Sequence, residues 1–320
     1  MLKMTILLSS LLSTFAMGAE VDHFSRRDIV IPDASEIVNQ KANEDLNNAL
    51  ADLNKLNSGC DESLLYKELR KYFGNHIKGD FTKFVIEDPS VPRLKIPINE
   101  SIYKDWTSFT GFILGSPLYR KSGIALSDLV RVGEIEIGTD KFEHLFGRGF
   151  YYFKSYYLKN KSLHDTLRAG VNQEKYIYGG LSIETGVFSY ADLAANFNGM
   201  RFWNHVLLKN NDILGENFNL GPYIVCENNL WKQNAQIDFR NYFDKTMDES
   251  VNCSKYSVSK SVKIVNEALK KLNESCPSHQ DLSPEIQSKY GEYSKYIINK
   301  NGIGKVNYRG EFGDFGGLKK

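Results

Sequence analysis

Two stretches of the chain repeat one spacing of chemically capable residues. They are Asp140-x3-His144-x2-Gly147-x3-Tyr151 and, fifty-two residues on, Asp192-x3-Asn196-x2-Gly199-x3-Trp203. Offsets of four, seven and eleven place each set on one face of a helix. A carboxylate beside an imidazole is the minimum for general acid–base work, and carboxylates with a histidine can also hold a divalent metal. Glycine in a helix interior costs about 1 kcal/mol relative to alanine, so two in register point to close backbone approach. Helices crossing near Gly147 and Gly199 would turn Asp140, His144, Asp192 and Asn196 towards one another.

The elements that must position these groups are readable from their caps. Thr139 can cap a helix running to about Leu158, and Ser189 one from Tyr190 to about Leu208. Asp192 falls in the first turns of the second helix, where the dipole favours a carboxylate. Leu193, Met200 and Leu207 flank one side of its stripe and Ala195, Phe202 and Val206 the other, while Asn198, Arg201 and His205 lie opposite. Asp192 therefore sits in the apolar half and needs a partner, since an unpaired buried carboxylate is costly. His144, Lys141 or a metal ion would each serve. The first helix has its apolar face at Phe142, Phe146, Phe150, Phe153 and Tyr157. Its Asp140/His144 stripe lies roughly opposite, flanked by Glu143, Lys154 and Arg148, which suits either a solvated face or the wall of a polar cleft. Gly147, Tyr151 and Leu158 along that stripe favour the cleft.

In the catalytic reading His144 is the acid/base, Asp140 or Asp192 orients it, and Glu184, just ahead of the second helix, adds a further carboxylate. Asn196, Lys141 and Tyr151 would hold the ligand. The structural alternative is a buried polar network that only fixes helix packing. Metal is the weaker option, because one His among several carboxylates matches no standard zinc set. No metal or other cofactor is assigned. Ser189 lacks a G-x-S-x-G context and reads as a cap rather than a nucleophile. His23, His76, His164, His205 and His279 are scattered, with surface or capping roles expected.

Around this centre the chain divides into an export signal (1–19), an N-terminal helical region with short extended segments (20–100), a central helical core (101–210) and a C-terminal hairpin and helical region with an irregular tail (211–320). The signal consists of Lys3, an apolar run from Ile6 to Phe15 and small residues at Ala16, Gly18 and Ala19. The run is shorter than the roughly 20 residues needed to span a bilayer, and the first cysteine is Cys60, so neither a stable membrane anchor nor a lipid anchor is expected. Helices are expected over Asp33 to Leu56 and from an Asp61 cap to Gly74. Lys83–Ile86 and Arg93–Ile96 read as edge strands or ordered loop, Ser127-Asp128 as the start of a short helix, and Ser162 or His164 as the start of a helix to Tyr178. Further on, Pro222–Cys226 with Leu230–Lys232 reads as a hairpin, followed by helices near Arg240–Glu249 and Ser254–Leu272.

Four cysteines suit an exported protein with two disulfides. Cys253 with Cys276 closes a local loop and leaves Cys60 with Cys226. The net charge of +1, with both signs interspersed, disfavours nucleic acid. The fold class expected is mainly α: an irregular helical domain with a central helix pair and small β-hairpin elements.

One pattern resembles a family. Asp140-Lys141-x2-His144, followed by Glu184-x4-Ser189-x2-Asp192-x3-Asn196-x2-Gly199, is similar to the D-K-x-x-H and S-x-x-D-x3-N-x2-G helices of VanZ-like and YfiM-like bacterial envelope proteins. The resemblance covers residues 138–199. It implies a shared helical site and an envelope location, periplasmic or secreted, with a cell-envelope component as ligand. The chain departs from the family in lacking the transmembrane helices of VanZ-like proteins and a lipobox. The function expected is an exported envelope protein, a hydrolase using a His/carboxylate cleft; the alternative is a non-catalytic structural or ligand-binding protein.

Overall fold

The computed structural model describes residues 20–123, 125–179, 181, 184–278 and 284–308; the expected export signal, Gly180 and His279 lie outside them. Local capping chemistry sets several helix boundaries. The first helix, Ser35–Lys55, buries Val38, Ala42, Leu46, Ala49, Leu50 and Leu53 along one stripe, while Leu56 at its end is exposed. It closes at Leu56 and the left-handed Asn57. Asp61 caps the Glu62–Tyr72 helix by accepting from Leu64 N at 2.9 Å. Ser162 caps Leu163–Gln173 by accepting from Asp165 N at 3.0 Å.

Roughly half of the described residues are helical and about 9% are strand, so the fold is helix-rich with small sheets rather than purely α. Three readings of local structure are corrected. Lys83–Ile86 lies in a helix, Asp80–Glu87, because Phe81 and Val85 turn into the core at helical spacing and override the strand preference of Val and Ile. Ser127-Asp128 leads into a hairpin, Leu129–Val132 with Ile135–Gly138, turned at the positive-φ Gly133. The span Arg240–Glu249 holds only the 3-10 turns Phe239–Asn241 and Lys245–Met247, and the following helix begins at Ser259, after a strand at Lys255–Tyr256. The expected second hairpin forms from Ile224–Glu227 and Leu230–Gln233, with Asn228 and Asn229 both at positive φ as a tight two-residue turn requires.

These elements pack around the central Tyr190–Leu207 helix, which is buried along nearly its whole length. One apolar cluster runs from Ala34 to Val306 and includes a nest of phenyl rings, with Phe81 edge-on to Phe146 and Phe142 edge-on to Phe243. Both expected disulfides form, Cys60–Cys226 and Cys253–Cys276, as suits an oxidising compartment. Among the described residues, no helix is long and apolar enough to cross a membrane.

Two small sheets aim the functional segments. The Leu129–Gly138 hairpin delivers the chain directly into Asp140. Val187–Phe188 pairs antiparallel with Lys255–Tyr256, which sets the preceding 249–254 loop beside Ser189 at the start of the central helix.

Candidate functional site

The helix carrying His144 spans 140–158 but is not regular. Between His144 and Arg148 it makes a π turn, with Gly149 N donating to His144 O across five residues, and a second π turn spans Lys154–Leu158. Each π turn inserts one residue into the helical count and rotates everything after it. The consequence is a register that the repeat spacing does not show. Gly149, not Gly147, meets Gly199: a Cβ on Gly149 would lie 2.4 Å from Gly199 Cα, and one on Gly199 would lie 2.0 Å from Leu145 O. Nothing lies within 4 Å of a Cβ on Gly147. Likewise Tyr151 is about half exposed, while Tyr152 is buried and hydrogen-bonded to Asn196. Tyr151 is thus not among the residues brought together at the crossing. Trp203 Nε1 donates to Phe146 O at 3.0 Å and closes the crossing.

Upstream of the π turn the predicted groups converge. Lys141 is the buried centre: its ammonium donates to Asp140 Oδ2 at 2.7 Å, Asp192 Oδ1 at 2.6 Å and Glu249 Oε1 at 3.0 Å. Ser189 caps the central helix through Asp192 N at 3.2 Å and donates its hydroxyl to Glu249 Oε1 at 2.8 Å. Ser254 holds Glu249 Oε2 at 3.1 Å. His144 spans the two helices, with Nδ1 3.0 Å from Asn196 Oδ1 and Nε2 3.2 Å from Asp192 Oδ2. The Lys141 side chain is 1% exposed, against 11% for His144 and 10% for Asp192, so the imidazole and Asp192 form the edge nearest solvent.

Burial dominates the electrostatics. It pushes Asp140 up, to about 8, against the pull of Lys141. Burial also raises Glu20, with Glu249 and Asp192 adding repulsion, and raises Glu174, with Asp192 adding to it. For Lys141 burial works downward, but Asp140, Asp192 and Glu249 overcome it and hold the ammonium well above its ordinary value. For Asp192 burial works upward, yet His144 and Lys141 hold it below the usual carboxylate range. Burial lowers His144, against the pull of Asp192. Asp140, Asp192 and Glu249 thus share the Lys141 ammonium, with Glu20 and Glu174 behind them and Arg148 also pulling Glu174 down.

Sequence reasoning found Asp140, Lys141, His144, Asp192 and Asn196, and the structure brings them together. Glu184 is half-buried and raised by burial alone, with no contribution from the cluster's charges, and its backbone oxygen accepts from Ile113 N at 3.0 Å. Glu249, Glu20 and Glu174 surround the cluster instead. Glu249 lies 108 residues from Lys141, and no local pattern marks it; only the need of a buried ammonium for more than one acceptor hints at such a residue. Glu174 begins a third π turn, Glu174–Tyr178, and accepts from Ser189 N at 3.3 Å.

The opposite face of the central helix is not solvated, contrary to its polar composition. Arg201 Nε donates to both oxygens of Asp212 at 3.0 and 2.9 Å, and its guanidinium donates to Asn198 at 2.7 Å. His205 Nδ1 lies 2.7 Å from Tyr242 Oη and its Nε2 2.9 Å from Asp212 Oδ2. Asn198 donates to Tyr290, whose hydroxyl donates to Asp244, itself paired with Lys289. His205 is therefore a core residue, not a surface one. His76 also has a partner, Glu143, at 2.5 Å.

Asp140, His144 and Asp192 are the residues that could hold a metal: each offers a ligand atom, and these lie within 4.8 Å of one another. Cavities of about 540 Å³ beside Asn54 and Trp231 and about 500 Å³ beside Asn266 and Cys276 include none of the cluster residues. Comparison with known proteins finds no matching family model, no matching curated protein and no matching solved structure.

Proposed function

We propose that this chain is an exported envelope protein whose Asp140–Lys141–His144–Asp192 cluster is a hydrolytic centre. The observation that carries the reading is the sharing of the Lys141 ammonium by three carboxylates, with an imidazole at the edge nearest solvent. Packing alone does not call for such a set, because apolar replacements of buried ion clusters are often neutral or stabilising. Strongly shifted carboxylates beside a histidine are enriched at reactive sites. In this reading His144 takes a proton from the attacking water, Asp192 stabilises the imidazolium, Asn196 fixes the ring, and Lys141 keeps Asp192 ionised and in place. The signal-like residues 1–19, the two disulfides and the resemblance to VanZ-like and YfiM-like proteins support the envelope location, with a cell-envelope component as substrate.

The alternative is a non-catalytic protein in which the same burial makes the cluster an architectural network. The test is complementation in the source cells. His144→Ala and Asp192→Asn proteins should accumulate folded, yet fail to restore whatever the gene's deletion disturbs. Full restoration by both variants ends the hydrolytic reading.

A further inference from the structure

We propose that this cluster binds one divalent metal ion, ligated by His144 Nε2 and by one carboxylate oxygen each from Asp140 and Asp192. The inference deepens the hydrolytic reading and rests on it for the ion's role, though not for its binding.

The valences of the cluster are the starting point. An ammonium has three N–H donors, and those of Lys141 go to Asp140 Oδ2, Asp192 Oδ1 and Glu249 Oε1. None remains for the second oxygens of the two aspartates. Glu249 is served at both oxygens, by Lys141 and Ser189 on one and Ser254 on the other. Asp140 is different: it is 5% exposed, and its buried Oδ1 has no hydrogen-bond partner among the described residues. A buried carboxylate oxygen left without a donor is the costly exception in a folded protein.

His144 supplies the second, independent observation. Asn196 Oδ1 can only accept, so Nδ1 of the imidazole donates to it, which turns Nε2 towards the carboxylates. Nε2 sits 3.2 Å from Asp192 Oδ2. Metal-binding histidines commonly show this arrangement, one nitrogen on the ion and the other N–H held by an oxygen acceptor that fixes the ring. Lys141 would play the matching part for the carboxylates, holding one oxygen of each.

Size and charge agree. Metal bonds of about 2.0–2.2 Å span donors up to about 4.4 Å apart, so a trio within 4.8 Å closes on an ion with a sub-ångström contraction. A divalent cation also offsets the charge of the three carboxylates that share the Lys141 ammonium. Two carboxylates and one imidazole suit Mn²⁺ better than ions that favour thiolates. With the ion bound, His144 is a ligand, and the base of the hydrolytic reading becomes the metal-bound water, whose pKa the ion lowers.

The test uses the full exported chain, stripped with a chelator and titrated with MnCl₂. Electron paramagnetic resonance should show one Mn²⁺ per chain, with affinity reduced about 10- to 100-fold or more in His144→Ala and unchanged in Glu184→Gln. Independently of any variant, electron spin-echo modulation of Mn²⁺ on the unaltered protein should carry the ¹⁴N signature of a coordinated imidazole. Failure of the folded chain to bind Mn²⁺ stoichiometrically, or a bound ion without the nitrogen signature, overturns the proposal. Mn²⁺ binding together with full complementation by His144→Ala and Asp192→Asn would remove the hydrolytic reading alone. Lost complementation without Mn²⁺ binding would remove the metal alone.

Discussion

The central Tyr190–Leu207 helix carries two polar networks back to back, and they are built on different principles. On the far face Arg201 is matched by Asp212 and Lys289 by Asp244, with Asn198, Tyr242 and Tyr290 linking them. Charges there are balanced one to one, and the asparagine and phenol groups hydrogen-bond across the helix packing. On the near face one ammonium serves three carboxylates, Glu20 and Glu174 crowd behind, and an aspartate oxygen is left over. Burial is similar on both faces. Under the reading proposed above, the balanced network is a structural tie, whereas the unbalanced one, with a histidine at its edge, awaits a ligand or a proton.

The largest effect should come from breaking the balanced side. Asp212→Ala leaves Arg201 buried without its counter-charge, and urea denaturation should register a loss of about 3–5 kcal/mol. The shared backbone contact comes next. Gly199→Ala drives a methyl into Leu145 O and should cost about 1–3 kcal/mol. Gly147→Ala meets nothing and should be neutral or stabilising by up to about 1 kcal/mol. A reversal of those two results would remove the π-turn register and with it the placement of His144.

The two faces should also respond oppositely to pH. Asp140, raised to about 8, favours the folded state when protonated. Its contribution is complete below the unfolded value near 3.8 and is lost as pH rises through about 8. Glu20 and Glu174, also raised, act in the same direction. Asp212 and Asp244 are depressed, so their contribution holds above 3.8 and is lost as pH falls through their lower folded values. For chelator-treated protein, Asp140→Asn should therefore gain stability relative to the parent between pH 5 and pH 8 in urea melts. A constant difference across that range would show that Asp140 does not carry the burden assigned to it.

What the sequence made legible was local. Asp61, Ser162 and Ser189 cap the helices expected of them, because a cap is read by the three residues after it. The disulfide pairing followed from loop length and elimination. The near face was largely readable, since Asp140, Lys141, His144, Asp192 and Asn196 all derive from helical spacing. The far face was misread, because Asn198, Arg201 and His205 look like a solvated stripe until Asp212, Tyr242 and Tyr290 arrive from other segments. The π turns were not legible at all. An extra residue in a helix leaves no mark on composition, yet it exchanges Tyr151 for Tyr152, and it is Gly149 rather than Gly147 that meets Gly199. The same limit hid Glu249, whose position depends on the Val187–Phe188 and Lys255–Tyr256 pairing.

The smallest expected effect gives the most direct test. His144 and His205 sit on the two faces of one helix, so urea denaturation of His144→Ala and His205→Ala compares those faces with one kind of substitution. His205→Ala strands Tyr242 and unsettles Asp212 in the core, and should cost about 2 kcal/mol or more. His144→Ala, at the edge nearest solvent of a network proposed to serve chemistry rather than packing, should cost less than about 1 kcal/mol. Equal losses, or a greater loss at His144, would contradict the division and make the near face architecture as well.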